Sequence, residues 1–320
     1  MYMLKYVLKR IGLMILTFFI IITVCFVLIK MLPLVVDVSL GRDAAILEAQ
    51  IAARGYRDPI LKQYFAYLYR IFTQGDWGIG INMPEFRGQP VWESFVKSLP
   101  PTILINVYST LFAVPLGLLL GIYAALRKNK WQDHAVSTIV MIFISVPSYI
   151  TAFLIQYLLC FKLKIFPLTM KAGYNYFSWD MFVSMMPAVI AMSFGSICGY
   201  ARFTRAELTE VLTSDYLLLA RTKGLTRGQA ITRHALRNAM VPIFPSIIGE
   251  FVAVLSGSLI IERIFSIPGV GRLYLNAINS LDYDFFMMLS AFYTFVGLAA
   301  GIVVDISYGF IDPRIRMGAK

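Results

Sequence analysis

The chain has 320 residues, of which 58% are apolar and 15% charged, with 29 bases, 18 acids and a net charge of +11. An ordinary soluble domain carries roughly 25% charged residues, so there are too few polar side chains to coat a water-soluble surface. The composition excludes a soluble fold, and the positive charge has to be read in a membrane context. A nucleic-acid reading fails because the bases are spread among short segments between apolar runs.

A helix needs about 20 mostly apolar residues to cross the hydrocarbon. Six windows qualify: 11–29, 102–126, 135–161, 181–201, 243–261 and 285–304. The first is too long for the apolar core of a signal peptide, and no small-residue cleavage site follows it, so it reads as a span. Cys25, Cys160 and Cys198 all lie in apolar stretches and read as small buried hydrophobes.

Six spans put both ends on one side. Segments 1–10, 127–134, 202–242 and 305–320 carry 16 Lys/Arg, while the short alternate segments 162–180 and 262–284 carry 5. The long segment 30–101 counts little, since long loops translocate largely regardless of charge. Both termini are therefore expected in the cytoplasm. The domain layout expected is 1–29 (cytoplasmic N-terminus and first span), 30–101 (extracytoplasmic), 102–311 (five-helix core with the cytoplasmic loop 202–242) and 312–320 (cytoplasmic tail).

In the segment 30–101, Asp58-Pro59 opens a stretch with Leu61, Tyr64, Phe65, Leu68, Ile71 and Phe72 at three-to-four spacing, and Gly75 closes it. That pattern predicts an amphipathic helix, lying on the membrane surface or forming part of a small outer cap.

Within the spans, Gly117-x-x-x-Gly121, Gly195-x-x-x-Gly199 and Gly297-x-x-x-Gly301 invite close helix packing, inside the chain or against a second subunit. Pro115 and Pro147 predict kinks in mid-span. Glu250 is the one charge inside the six windows. A mid-span carboxylate must face a bundle interior or a watery cavity, so it reads either as a pathway-lining group or as a hydrogen-bonded structural acid. Tyr149, Phe153, Tyr157, Tyr200 and Phe251 are the aromatic candidates for the same wall, with lipid-facing packing as the alternative.

The connector 202–242 is the most informative stretch. Ser214 can cap a short helix with Asp215 in its first turn, Arg221 and Lys223 in its last, and Gly224 at the stop position. Thr226 and Gln229 have the spacing of a capping box. The second helix is expected to run through Ile231, His234, Ala235 and Asn238 and to end before Pro242. The result is a stiff helical finger whose Tyr216, Leu217, Leu218 and Leu219, beside basic residues, suit docking into a groove of another protein or onto lipid headgroups.

At these residues the chain resembles a known family. Asp215-Tyr216, Ala220-Arg-Thr-Lys-Gly224-Leu225, His234-Ala-Leu-Arg-Asn238-Ala239 and Pro242 look like the cytoplasmic loop of ABC-importer permeases, most closely the B-type subunit of the dipeptide/oligopeptide/nickel branch. Leu218 and Leu219 replace the glutamate and first alanine of the general loop motif, while Ala220 and Gly224 keep its spacing. Further matches are Arg202-Phe-Thr-Arg205-Ala-Glu207, Gly75-Asp76-Trp77-Gly78, Leu99-Pro100-Pro101-Thr102, Glu262-Arg-Ile-Phe265-Ser-Ile-Pro268-Gly269-Val-Gly271-Arg272, Asp282-Tyr283 and Asp312-Pro313-Arg314-Ile315-Arg316. Pro33-Leu34-Val35 departs from the branch, which usually shows Pro-Gly-Asp-Pro after the first span.

The resemblance implies an all-α polytopic membrane protein of the type I ABC importer permease kind, multi-pass in a bacterial or archaeal cytoplasmic membrane. It implies a second homologous permease, two cytoplasmic ATPase subunits and an extracytoplasmic solute-binding protein as partners. Asp215, Tyr216, Ala220, Arg221, Lys223, Gly224, Leu225, His234, Arg237 and Asn238 would couple to an ATPase. Tyr149, Phe153, Tyr200 and Glu250 would line the pathway, and Pro268, Gly269 and Gly271 would shape an outer loop. Peptides are the expected cargo, with nickel or another small solute as the alternative. The competing class is an ion-gradient-driven transporter, which often shows internal repeats and paired intramembrane charges; neither is evident here. No phosphate-binding loop of the G-x-x-x-x-G-K-[ST] type occurs, so ATP and Mg would reside on the partners, with no cofactor or metal on this chain. Replacing Gly224→Pro is expected to abolish uptake while membrane insertion stays intact. Transport assayed beside membrane-fraction blotting tests this, and unchanged uptake would sink the coupling role of the finger.

Overall fold

The computed structural model describes residues 2–34, 42–173 and 175–311. The expected motif at 312–316 and Val35 of the departing tripeptide lie outside the described residues. Described chain is helical, with only two isolated bridges, Ile79 to Pro90 and Gly80 to Arg87, outside the helices. Five helices are long and apolar enough to cross a membrane, and a sixth span is available as a bent pair.

Two compact units are distinguished. Among the described residues, the first comprises 2–34, 42–102, 256–263 and 267–299, and the second 103–173, 175–255, 264–266 and 300–311.

In the first unit, α1 (Tyr2–Lys30) is the most apolar span, and α13 (Tyr283–Ile311) begins here. Between them in sequence stand α2 (Arg42–Ala53), α3 (Ile60–Gln74), the start of α4 (Val91–Leu126), α11 (Leu259–Ile264) and α12 (Val270–Asn279). The predicted helix after Pro59 is α3, and Gly75 caps it at φ 63°, its N–H bonded to Arg70 and Ile71 carbonyls. Its Tyr67 is buried with Ile22, Phe26 and Ile29 of α1 and with Tyr283, Met287 and Ala291 of α13.

Charged residues knit this unit. Asp284, buried, accepts from the Tyr56 hydroxyl and from Ile79 N–H at 2.9 Å. Lys30 sits over the rings of Tyr56, Tyr283 and Phe26, at 4.3, 4.6 and 5.7 Å from their centroids. Asp282 Oδ2 accepts three successive backbone N–H groups, from Ile81, Asn82 and Met83, at 2.7, 2.8 and 3.2 Å. These two acids at the head of α13 thus hold the irregular chain 78–83, whose amides would otherwise be buried without partners.

In the second unit, α4 continues beside α7 (Trp179–Leu212), with α5 (Trp131–Ser145), α6 (Ser148–Ile155) and α10 (Leu236–Ala253) also packed on α7. A Cβ at Gly117 would lie 2.6 Å from Tyr200 Cβ, and one at Gly121 2.6 Å from Thr204 Cβ and from the Ala201 carbonyl. That close approach realises one of the three glycine pairs. Among the described residues, a Cβ at Gly195, Gly199, Gly297 or Gly301 would meet no atom within 4 Å, so the other two pairs make no such close approach there.

Two expectations need correction. The third window, 135–161, is not one kinked helix: it breaks at Val146-Pro147, and the two halves are bent by 101°. Pro147 lacks an N–H and drives Val146 into extended backbone (φ −83°, ψ 125°), so no helical bond bridges the junction. After α6 the chain widens into a π-helix, Gln156–Lys162, and Gln156 Nε2 donates to the carbonyls of Leu168 and Ile264. The second finger helix does not stop before Pro242. It starts as α9 (Arg227–Ala230), passes a π-turn at Ile231–Ala235, and continues as α10 through Pro242 and Pro245 into the fifth span. Burial of Ala239 and Ile243 against neighbouring helices compensates for the bonds these prolines cannot make.

The α4–α7 contact is expected to be intolerant of volume. Gly121→Val should lower the thermal midpoint of the detergent-solubilised protein, an overpacking cost of about 1–3 kcal/mol. Gly12→Ala, in mid-helix where a Cβ meets nothing within 4 Å, should not lower the midpoint in the same measurement.

Candidate functional site

The finger begins where α7 ends. Arg205, two turns before that end, makes a two-pronged pair with the fully buried Asp133, its Nε to Oδ1 and its Nη2 to Oδ2 at 2.8 Å, and Asn129 N–H adds a bond to Oδ2 at 3.0 Å. This pair fastens the last turns of α7 to the 127–133 corner with the planar geometry that favours arginine over lysine.

Next comes α8 (Asp215–Thr222). Ser214 stands at its N-cap position in extended backbone, but its hydroxyl does not cap the helix: it turns back to the Val211 carbonyl at 2.6 Å. Gly224 closes the turn at φ +93°. Since a Cβ there would meet no atom within 4 Å, backbone conformation, not crowding, is what requires glycine. The capping box at Thr226 and Gln229 forms in full, Thr226 N–H to Gln229 Oε1 at 3.0 Å and Gln229 N–H to Thr226 Oγ1 at 3.3 Å.

One face of α8 is anchored and the other is free. Leu217 is buried with Ala125, Leu208, Ala230, Ala235 and Ala239, and Leu225 packs on the same cluster. Ala220 is buried as well. On the opposite side, Asp215, Tyr216, Leu218, Leu219, Arg221, Lys223 and Gly224 are exposed, as are His234, Arg237 and Asn238 on the following helix. His234 lies in the π-turn Ile231–Ala235, a widening that recurs at functional positions in helices. An open groove of about 1000 Å³ runs beside the finger, and Arg127, Lys128, Lys130, Arg221 and Arg227 line it against the single acid Asp215. The basic corner 127–130 is a contribution that reading the 202–242 connector alone does not reveal.

The pathway candidates divide. Tyr200 and Glu250 are brought together: Ser196 Oγ donates to Glu250 Oε1 at 2.7 Å, and the Tyr200 hydroxyl lies 3.5 Å from Oε2 and donates to the Ser246 carbonyl at 3.2 Å. Glu250 is half-buried. Tyr149 and Phe153, on α6, are exposed and share no hydrogen bond with this group. The break at Pro147 redirects α6, which is why they do not continue the line of the third span.

Pro268 is exposed, whereas Gly269 and Gly271 close on a residue that sequence reasoning did not single out as a site, Glu262. Its Oε1 accepts from Thr102 Oγ1 at 2.9 Å, its Oε2 accepts from Arg272 N–H at 3.1 Å, and the Thr102 oxygen itself accepts from Val270 N–H at 2.9 Å. A Cβ at Gly257 or Gly269 would run into the carboxylate, and one at Gly271 would lie 2.9 Å from it. Three glycines therefore close around one acid, and an acid inside the apolar run Leu259–Ile264 with glycines on both sides was the signal available in the sequence. Burial pushes the Glu262 carboxyl up from 4.5 to about 7, outweighing the hydrogen bonds that favour its charged form. Burial likewise raises Asp282 from 3.8 to about 6.

Both folded-state values lie above the ordinary ones, so the folded state binds the proton more tightly. The stabilisation from Glu262 is complete below about 4.5 and is lost as pH rises through about 7. Thermal midpoints measured from pH 4.5 to 8 should fall across that window, and Glu262→Gln should flatten the upper part of the slope.

Residues 117–317 match the family model described as the binding-protein-dependent transport system inner membrane component. The dipeptide transport system permease protein DppB of Lactococcus lactis subsp. cremoris is 34% identical over 98% of this chain and 100% of its own length. DppB of Bacillus subtilis is 34% identical over 99% and 100%, and the oligopeptide transport system permease protein OppB of Salmonella typhimurium 32% over 98% and 100%. Among solved structures, the crystal structure of an amino acid ABC transporter with histidines superposes with a TM-score of 0.51 at 18% identity, covering 68% of this chain and 94% of that one. At that identity the likeness speaks for the fold alone.

Proposed function

Because the chain belongs to the binding-protein-dependent transport system inner membrane component family, the non-catalytic permease subunits of ABC importers, we propose that it passes dipeptides or oligopeptides across the cytoplasmic membrane. The full-length similarity to the dipeptide and oligopeptide permeases supports this cargo class.

The observation that carries the mechanism is the finger 215–224, anchored on one face and free on the other. In this reading a cytoplasmic ATPase subunit receives the exposed face of α8, with Tyr216, Arg221 and Lys223 at the contact. Closure of two ATPases on ATP and Mg pushes the finger, and the push enters the spans directly. Leu217 bears on the cluster shared by α4, α7 and α10, and α9 runs through the π-turn into α10 without an intervening loop. A short helix closed by a left-handed glycine and followed by a complete capping box transmits displacement where a loop would absorb it.

Half of the translocation pathway would come from this chain and half from a second, homologous permease. Glu250, Ser196 and Tyr200 form a polar patch on its wall, in keeping with the rule that intramembrane acids face a cavity or a bundle interior. An extracytoplasmic binding protein would deliver cargo to the side bearing the 30–101 and 262–284 segments. The excess of bases in 1–10, 127–134, 202–242 and 305–320 supports placing both termini in the cytoplasm, with the bent pair α5–α6 counting as one span.

Reconstituted with its partners in vesicles, the importer should take up labelled peptide when ATP is supplied on the finger side. Uptake should persist when ionophores collapse proton and sodium gradients. Loss of uptake with the gradients, at full ATP, would overturn the ATP-driven reading.

A further inference from the structure

Helix α3 carries more apolar surface than the protein covers. Its residues fall into three sectors. Tyr64, Tyr67 and Ile71 face α1 and α13. Lys62, Gln63, Arg70, Thr73 and Gln74 form a polar sector, in which Gln63 Nε2 donates to the Asp58 carbonyl and Arg70 to the Arg54 carbonyl. The third sector, Leu61, Phe65, Tyr69 and Phe72, is 74, 66, 63 and 68% exposed. Four large apolar side chains on one stripe forgo roughly 1.5–3 kcal/mol each if they face water.

What covers the stripe follows from where α3 crosses α1. Tyr64 bonds Thr23 through their hydroxyls at 2.6 Å, Phe26 packs on Tyr64 and Tyr67 with centroids at 5.2 and 5.4 Å, and Phe72 stacks on Phe19 at 6.2 Å. Phe19, Thr23 and Phe26 run from the middle of the apolar stretch of α1 toward its C-terminal end, in the segment that must itself be surrounded by hydrocarbon. The exposed stripe of α3 is thus continuous, through the Phe72–Phe19 stack, with the surface of α1 carrying Leu16, Ile20, Val24 and Val27, all exposed in the chain. Residues 117–317, which match the family model, include neither helix.

We propose that α3 is an interfacial helix whose Leu61–Phe65–Tyr69–Phe72 stripe is seated in bilayer lipid beside α1, at the boundary of acyl chains and headgroups. Tyr69 suits that boundary, with an apolar ring and a polar end. Lys62 and Thr73, on the neighbouring sector, face the headgroups and water, as the charged face of an in-plane helix does. The seat also fixes α1: a span crossed by a second membrane-held helix resists sliding along the bilayer normal.

The test uses the importer assembled with its partners in vesicles of phosphatidylethanolamine and phosphatidylglycerol. In a background with Cys25, Cys160 and Cys198 replaced by serine, single cysteines at Leu61, Phe65 and Phe72 carry a nitroxide label, with Lys62→Cys and Thr73→Cys as references. Peptide uptake selects the folded variants, and three stripe positions guard against the loss of any one. Lipid seating requires relaxation by oxygen, which concentrates in the acyl region, to exceed that by a water-soluble nickel chelate at the stripe, with the order reversed at 62 and 73. Dominance of the chelate at the stripe would overturn the proposal. Shielding from both agents would also overturn it, and would assign the stripe to a protein partner instead.

Discussion

Hydrocarbon offers the backbone no hydrogen-bond partner, and the architecture is a response to that constraint. Each apolar segment must satisfy its own N–H and C=O groups, so the described chain is helical wherever it is apolar for long. The non-helical stretches and the open starts of helices are then the expensive parts, and several of them are held by a side chain that supplies the missing partner. Asp282 takes three consecutive amides of the 81–83 turn, Asp284 takes Ile79, and Glu262 takes Arg272 while Thr102 takes Val270. Gln156 does the same for two carbonyls after the π-helix.

These buried acids explain the glycines around them. A carboxylate can bind main-chain amides from within only where the backbone comes close, and any Cβ at 257 or 269 would occupy its place. Burial also raises the proton affinity of Glu262 and Asp282, which makes the same contacts responsive to pH. Structural economy and titration behaviour here have one cause.

At the other functional region the logic is mechanical. The finger is short, is pinned by Leu217, and is joined to α10 without a loop. Arg205 and Asp133 clamp the root of the finger to the neighbouring corner, so that a load on α8 reaches several helices at once. In the proposed coupling role, that stiffness would carry displacement from an ATPase subunit into the spans of this permease.

Much of this was legible in the chain alone. Span number, the helix after Pro59, the glycine stop at 224 and the Thr226–Gln229 box depend on hydropathy, spacing and end chemistry, all local properties. Four spans run as expected, with ends extended where polar turns continue the helix beyond the hydrophobic window; the fifth ends at Ser256, short of the expected 261, because Gly257 at φ +63° turns the chain before Leu259–Ile264 forms a separate helix. The remainder required tertiary contacts. Pro147 signals a disturbance in the sequence, but whether a proline kinks a helix or breaks it depends on what the freed groups meet, and here the chain turns by 101°. Pro242 gives the same local signal and has the opposite outcome, because packing on both sides holds α10 together. Three glycine pairs look alike in sequence, yet among the described residues only Gly117 and Gly121 come close against a neighbouring helix. Glu262 stands 160 residues from Thr102, and no local pattern records that their side chains meet. Local rules decide which segments are helices; distant contacts decide where each helix bends, what it touches and which of its acids are buried.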